Sequence, residues 1–330
     1  MKSLYTAPFD QDYLTLLEKN FGEALAGVSE EDRLLENDEM VHMINKVRPD
    51  VVIVEVNVIN DVVLEHVEGL RVIAVCRSGT NNVDVRAATE KGVLVINTPA
   101  RNAVAVAEWT IALMINIARN FYQGAHLVQN RGWMDMVKTC YDMEGYELAG
   151  RKVGIIGIGS IGRAVAQRLR NWEMDILGFD PFVPQADVED INVKMTTLEA
   201  LLAKSDFVVL LAAATDENQG MINNKQIGLM KPSAYLINSA RASLIDENAL
   251  LEALKTGKIA GAALDVHHQE PLPFDSPWFE LDNVILTPHL GGATKDTITK
   301  HSQIIYEDLL RFKRHEIPRN LVNPEAWDRQ

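Results

Sequence analysis

Short runs of β-branched and aliphatic residues recur along the chain at 50–54, 71–75, 93–96, 152–156, 207–211 and 261–265, each followed by a stretch with helical spacing. Strands alternating with helices predict parallel sheets covered by helices. The runs lack a regular polar alternate position, as strands buried on both faces require. A Gly-rich turn of the kind that opens a nucleotide-binding sheet comes only at Gly157, after three strand-like runs, so those runs need a sheet of their own. Strands end at prolines in Asn97-Thr98-Pro99 and Thr287-Pro288-His289, which mark candidate boundaries. After Thr294 a long helical pattern with Ile298, Ile305, Leu309, Leu310 and Phe312 can pack back onto the first domain. The prediction is an α/β protein of two parallel-sheet domains, with residues 100–294 inserted between 1–99 and 295–330. From Ala103 to Arg119 the chain is apolar on nearly every side, which predicts a helix buried in the subunit core or at a subunit interface.

Length agrees with two domains, since 330 residues exceeds the size at which one core usually stops growing. A formal net charge of -14 disfavours phosphate backbones and anionic membranes, so neither nucleic acid nor membrane is an expected partner. The two cysteines, Cys76 and Cys140, cannot build a disulfide framework and fit a reducing compartment. With no signal-like N-terminus and no apolar run of spanning length, the expectation is a cytoplasmic protein. No metal-ligand spacing is present, because the adjacent His267 and His268 diverge.

The strand at 152–156 runs into Gly157-Ile158-Gly159-Ser160-Ile161-Gly162, which opens a helix. This is a dinucleotide fingerprint in its required context. Gly157 permits the tight turn, Gly159 a close approach of a pyrophosphate, and Gly162 close helix–strand packing. The pyrophosphate would sit on the helix N-terminus around Ser160 and Ile161, where the dipole and unpaired N–H groups favour an anion. The next strand ends at Asp180, whose carboxylate can accept both ribose hydroxyls of NAD and would repel the 2′-phosphate of NADP. No cation follows in Pro181-Phe182-Val183, so NAD is the expected cofactor.

Reducing a carbonyl by hydride needs a proton donor for the developing alkoxide and a cation for a substrate carboxylate. Candidates fall beyond strand-like runs of the second half: Arg241 as anion anchor, His289 as acid and Glu270 as its tuner.

Several further segments make the chain resemble the D-isomer-specific 2-hydroxyacid dehydrogenase family from about Val51 onward. They include Asn81-Asn82-Val83-Asp84, the run from Gly92 to Pro99, Asn238-Ser239-Ala240-Arg241, Leu264-Asp265-Val266, Glu270-Pro271-Leu272-Pro273 and Thr287-Pro288-His289-Leu290-Gly291-Gly292. The resemblance is to phosphoglycerate dehydrogenase-like members without a C-terminal regulatory domain. It implies a Rossmann-like NAD-binding domain at 100–294 inserted into a flavodoxin-like substrate domain, and hydride transfer between NAD and C2 of a small 2-keto or 2-hydroxy acid. It also implies Arg241, Glu270 and His289 as catalytic residues, with Arg241 and His289 touching substrate. Asp265 and the Ala240 backbone would hold the nicotinamide carboxamide, and backbone amides near Ser78 and Gly79 the substrate carboxylate. Homodimerisation through the helix from Ala103 to Arg119 follows from the same likeness.

The chain departs from the family pattern at Ala242, where glycine is usual, and at Leu211 and Ala213, where histidine and proline are usual. The loop from Arg77 to Asn82 is about two residues shorter than in phosphoglycerate dehydrogenases. Residues 54–57 offer an acid, Glu55, and an amide, Asn57, but no cation, which argues against a phosphorylated substrate. Two other functions stay open. An NAD-sensing binding protein would keep the fold without turnover, and formate oxidation would need no general acid. The intact Arg241, Glu270 and His289 disfavour the first, and Glu270, where formate-oxidising relatives have glutamine, the second.

Overall fold

The computed structural model describes residues 1–27 and 34–329. It divides into two compact units, Met1–Asn102 with Thr294–Gln330, and Ala103–Ala293.

In the first unit five strands, β1 (Ser3–Tyr5), β2 (Ala24–Ala26), β3 (Val51–Val54), β4 (Val72–Val75) and β5 (Leu94–Ile96), form a parallel sheet in the order β2-β1-β3-β4-β5. All four residues of β3 are fully buried, because successive side chains meet different helices. Val52, Val54, Ile73 and Val75 pack with Met40, Ile44 and Leu64 on one side. Val51, Ile53, Val72 and Leu94 pack with Leu17, Phe21, Ile305, Leu309 and Phe312 on the other. The last three come from the helix Lys295–Lys313, at the spacing that puts them on one face. Burying each contributes roughly 1.5–3 kcal/mol, enough together to hold the returning helix against this sheet.

The second unit carries seven parallel strands: β6 (Lys152–Ile156), β7 (Asp175–Phe179), β8 (Val193–Met195), β9 (Phe207–Leu210), β10 (Tyr235–Asn238), β11 (Gly261–Leu264) and β12 (Val284–Leu286). Their order is β12-β11-β10-β9-β6-β7-β8. The chain leaves β6 in one direction through β7 and β8, then restarts on the other side of β6 with β9. This reversal is the switch point at which open α/β sheets bind ligands. One face of the sheet is covered by the helices Ala103–Ala118 and Ser160–Leu169. Leu201, Ile227, Leu250, Leu254 and Trp278 cover the other.

Ala103–Ala118 is sunk into this core and exposes only a stripe formed by Val104, Glu108, Ala112 and Ile115. The two helices after it, Phe121–Gln129 and Met136–Asp142, bury no residue. They and their linker expose Phe121, Tyr122, Trp133, Met134, Met136 and Tyr141. Among the described residues no helix is long and apolar enough to cross a membrane, and no three potential metal ligands cluster.

Candidate active site

The fingerprint lies at the carboxyl end of β6, where each of its three glycines meets a different constraint. Gly157 has φ +95°, a conformation side chains rarely adopt, and a Cβ there would collide with the Ala212 backbone. At Gly162 a Cβ would strike the Gly157 carbonyl, so this position sets how closely the helix lies on the strand. Gly159 is the opposite case: a Cβ there would meet nothing within 4 Å. The first two positions are demanded by the fold itself, whereas the third leaves open space beside the helix start. Gly159 caps the ten-residue helix Ser160–Leu169 without offering a side-chain oxygen, so the first-turn amides at Ser160 and Ile161 receive no side-chain cap. Such an end suits a pyrophosphate.

Asp180 closes the same turn. Its Oδ2 accepts from the Ile158 N–H at 2.9 Å and its Oδ1 from Phe182 N–H at 2.9 Å. A carboxylate has about four acceptor positions, so capacity remains for ribose hydroxyls. The residues present therefore fit an NAD-type dinucleotide.

A second group of residues gathers at the ends of β10, β11 and β12. Asn238, the last residue of β10, accepts from Ala240 N–H at 3.0 Å and donates to the Arg241 carbonyl at 2.9 Å, pinning the turn that presents the exposed Arg241. The guanidinium itself donates to the Ala240 carbonyl at 2.6 Å.

Asp265 directly follows β11 and is 1% exposed. Its carboxylate accepts from Thr287 Oγ1 at 2.6 Å, Leu290 N–H at 2.9 Å and Gly291 N–H at 2.7 Å. These partners flank His289, so a buried negative charge shapes the loop that carries the imidazole. His289 has φ +55°, an uncommon conformation for a non-glycine residue, which the clamp on both sides maintains.

His289 Nδ1 lies 2.9 Å from Glu270 Oε2, and Glu270 Oε1 accepts from the His267 N–H at 2.9 Å. Burial pushes the Glu270 carboxyl up, but the bonds from His289 and His267 and their nearby charge outweigh it and hold the group below its ordinary value. Glu270 is thus a charged acceptor with both oxygens oriented. Asn238, His267 and Thr287 carry no role in the sequence reading. Their signal was weak: polar residues at strand ends, whose partners only the fold reveals.

Ser78 and Gly79 belong to the first unit, in the loop after β4. The Ser78 hydroxyl accepts from Ala100 N–H at 3.2 Å and faces the Thr98 carbonyl at 3.4 Å, while Asn97 Nδ2 donates to the Ser78 carbonyl at 2.6 Å. The expectation that no cation stands near residues 54–57 is overturned. Arg101, remote in sequence, is brought onto Glu55 as an ion pair.

Residues 111–291 match the model of the D-isomer specific 2-hydroxyacid dehydrogenase, NAD binding domain. Among relatives, a D-3-phosphoglycerate dehydrogenase of Methanocaldococcus jannaschii is 38% identical over 98% of this chain, which spans 59% of that protein's length. A glyoxylate reductase of Pyrococcus furiosus is 35% identical, with 98% of this chain and 96% of the relative covered. The apo-structure of D-lactate dehydrogenase from Escherichia coli is 29% identical with a TM-score of 0.80, covering 98% of this chain and 100% of that one. With the domain model matching more than half of the chain and both relatives above 30% identity agreeing with it, the chain belongs to the D-isomer specific 2-hydroxyacid dehydrogenase family.

Proposed function

We propose that the protein transfers a hydride between NAD(H) and C2 of a small 2-keto or 2-hydroxy acid, with residues 100–294 serving the cofactor and 1–99 with 295–330 the substrate. The observation that carries this reading is the His289–Glu270 pair, set on a loop clamped by Asp265. Reduction adds a hydride from NADH to C2 and a proton from His289 to the carbonyl oxygen. Because Nδ1 faces Glu270, Nε2 is the atom that moves the proton. Glu270 fixes the orientation of the ring, and the Arg241 guanidinium holds the substrate carboxylate and carbonyl. In the first unit, the backbone amides at Ser78 and Gly79 are the candidate contacts for a substrate carboxylate. In the cofactor site the fingerprint glycines with Ser160 and Ile161 take the pyrophosphate, Asp180 the ribose, and Ala240 with Asp265 the nicotinamide end.

NAD is preferred over NADP because Asp180 would repel a 2′-phosphate. The exposed aromatic and methionine side chains between 121 and 141 support a homodimer in which they and the outer stripe of Ala103–Ala118 are covered. Net acidity and the two free cysteines support a cytoplasmic location. The test is NADH oxidation against a panel of 2-keto acids, including glyoxylate, pyruvate and hydroxypyruvate. Turnover of at least one, lost in His289→Gln with NADH binding retained, is the expected result. NADH binding without turnover of any keto acid would favour a sensor instead.

A further inference from the structure

Just after β11 the second unit carries two adjacent histidines, His267 and His268, whose imidazoles the reaction above does not use. Their side chains turn to different loops: His268 Nε2 lies 3.2 Å from the Ile245 carbonyl, and His267 Nε2 lies 2.9 Å from the Thr287 carbonyl. A carbonyl can only accept, so in each ring Nε2 carries the hydrogen and donates it.

The acceptor that His267 meets is the one on which the His289 loop turns. Thr287 directly follows β12, and its carbonyl also accepts the His289 N–H at 3.0 Å. That bond spans two residues and closes a tight turn over Pro288, whose ring restricts φ to the range such a turn uses. The chain leaves the turn at His289 with φ +55°. At its other end, His267 donates its main-chain N–H to Glu270 Oε1 at 2.9 Å, and Glu270 Oε2 faces His289 Nδ1 at 2.9 Å. These bonds form a closed circuit. It runs from the His267 main chain to Glu270, on to His289, through the His289 N–H to the Thr287 carbonyl, and back to the His267 imidazole.

The acid–base pair needs such support. The side chains of His289 and Glu270 are 46% and 39% exposed, and an ion pair so open to water is only weakly held by its own attraction. Its members also come from different loops, Glu270 after β11 and His289 after β12. Asp265 bonds Thr287 Oγ1, Leu290 N–H and Gly291 N–H, all on the His289 side. His267 bonds both sides. Its Nδ1 is buried and has no hydrogen-bond partner among the described residues, so the bond to Thr287 is the single polar contact of the ring there.

We propose that His267 is a positioning residue for the acid–base pair. Its main chain orients the Glu270 carboxylate, its imidazole holds the Thr287 carbonyl, and together these set how Glu270 meets the ring of His289. The inference rests on the dehydrogenase reading above and deepens it by a residue that acts through the pair.

Two substitutions in the full chain separate the bond from the packing of the ring. His267→Phe keeps a planar ring and removes the donor, and a cavity of about 20 Å³ beside His267 leaves room for the extra ring atom. His267→Gln loses the ring but has an amide nitrogen as many bonds from Cβ as Nε2 is, so the bond to Thr287 can be remade. NADH oxidation is followed with whichever of glyoxylate, pyruvate and hydroxypyruvate the wild type reduces fastest. His267→Phe should lower kcat roughly 10-fold, the scale of a misplaced catalytic group, while KM for the keto acid and NADH affinity by fluorescence titration stay within about twofold. His267→Gln should restore kcat to within about threefold of wild type. Equal losses in the two variants would assign the effect to ring packing, and an unchanged kcat in His267→Phe would remove the role; either result overturns the proposal. A further measurement needs no turnover: proton–nitrogen NMR spectra of protein labelled at its histidine nitrogens should show a ring protonated at Nε2 that is absent from His267→Gln. A His267 ring protonated at Nδ1 instead contradicts the bond to Thr287 and overturns the proposal too. If the wild type binds NADH and reduces none of the acids, the dehydrogenase reading fails and the role built on it falls with it, even where the spectra show the Nε2–H ring.

Discussion

The Asp265 clamp makes a prediction whose size follows from its geometry. Asp265 Oδ1 accepts two hydrogen bonds, from Thr287 and Leu290, and Oδ2 accepts one, from Gly291. In Asp265→Asn the amide oxygen can occupy only one of these positions. The better choice keeps Thr287 and Leu290 and turns the NH₂ against the Gly291 N–H, so two donors meet in a buried place. Losing a bond to a charged acceptor costs about 1.5–3 kcal/mol, and the stranded donor adds about 1–3 kcal/mol. The loop can relax part of this, leaving roughly 2–4 kcal/mol, which in a unit of this size lowers Tm by roughly 4–16 °C. Because the loop carries His289, turnover should drop by 10-fold or more even where the fold persists. Calorimetry of the apo-protein gives the first number, and kcat at saturating keto acid and NADH the second. A melting temperature within about 1 °C of wild type with unchanged kcat would show that the clamp neither stabilises the loop nor positions the imidazole.

Gly159→Ala should fold and melt like the wild type, since its methyl enters open space, but bind NADH roughly 10-fold more weakly by fluorescence titration. Gly162→Ala, by contrast, should fail in thermal stability first, because its methyl meets the Gly157 carbonyl. Glu270→Gln keeps the shape of the pair and removes its charge, so reductive kcat at neutral pH should fall roughly 10- to 100-fold with NADH affinity nearly unchanged. For His301, whose pKa is lowered in the folded state from 6.5, the unfolded chain takes up the proton first. Its contribution to stability is therefore complete above that value and is lost as the pH falls below it. Urea unfolding between pH 7.5 and 5 should show this loss, with a shallower slope in His301→Asn; equal slopes would separate His301 from the pH response.

How far the sequence revealed these features depended on whether the relevant physics was local. The strand β6 was read with its observed limits because its apolar run ends at Gly157, and the fingerprint was legible because strand, turn and helix are contiguous. β1, β2 and β8 went unread: each has three residues, and β2 and β8 lie at sheet edges, where one partner suffices and no buried run is needed. Apolarity from Ala103 to Arg119 cannot separate a helix sunk in its own core from one covered by a second subunit, and the interface expectation came from the family likeness. The structure shows most of that apolar surface spent within the unit and places the uncovered aromatic residues after it.

The substrate side was hidden for a different reason. Glu55 was visible at the end of its strand and was read as an acid without a cation, because its partner Arg101 is 46 residues away in sequence and His301 a further 200. No pattern of spacing links them; only the parallel order of β1, β3, β4 and β5 brings their carboxyl ends to one edge. The correction changes the argument about substrate. An isolated carboxylate would repel a phosphate and attract a cation. A carboxylate paired with a guanidinium does neither strongly, so Glu55 taken by itself no longer argues against a phosphorylated substrate.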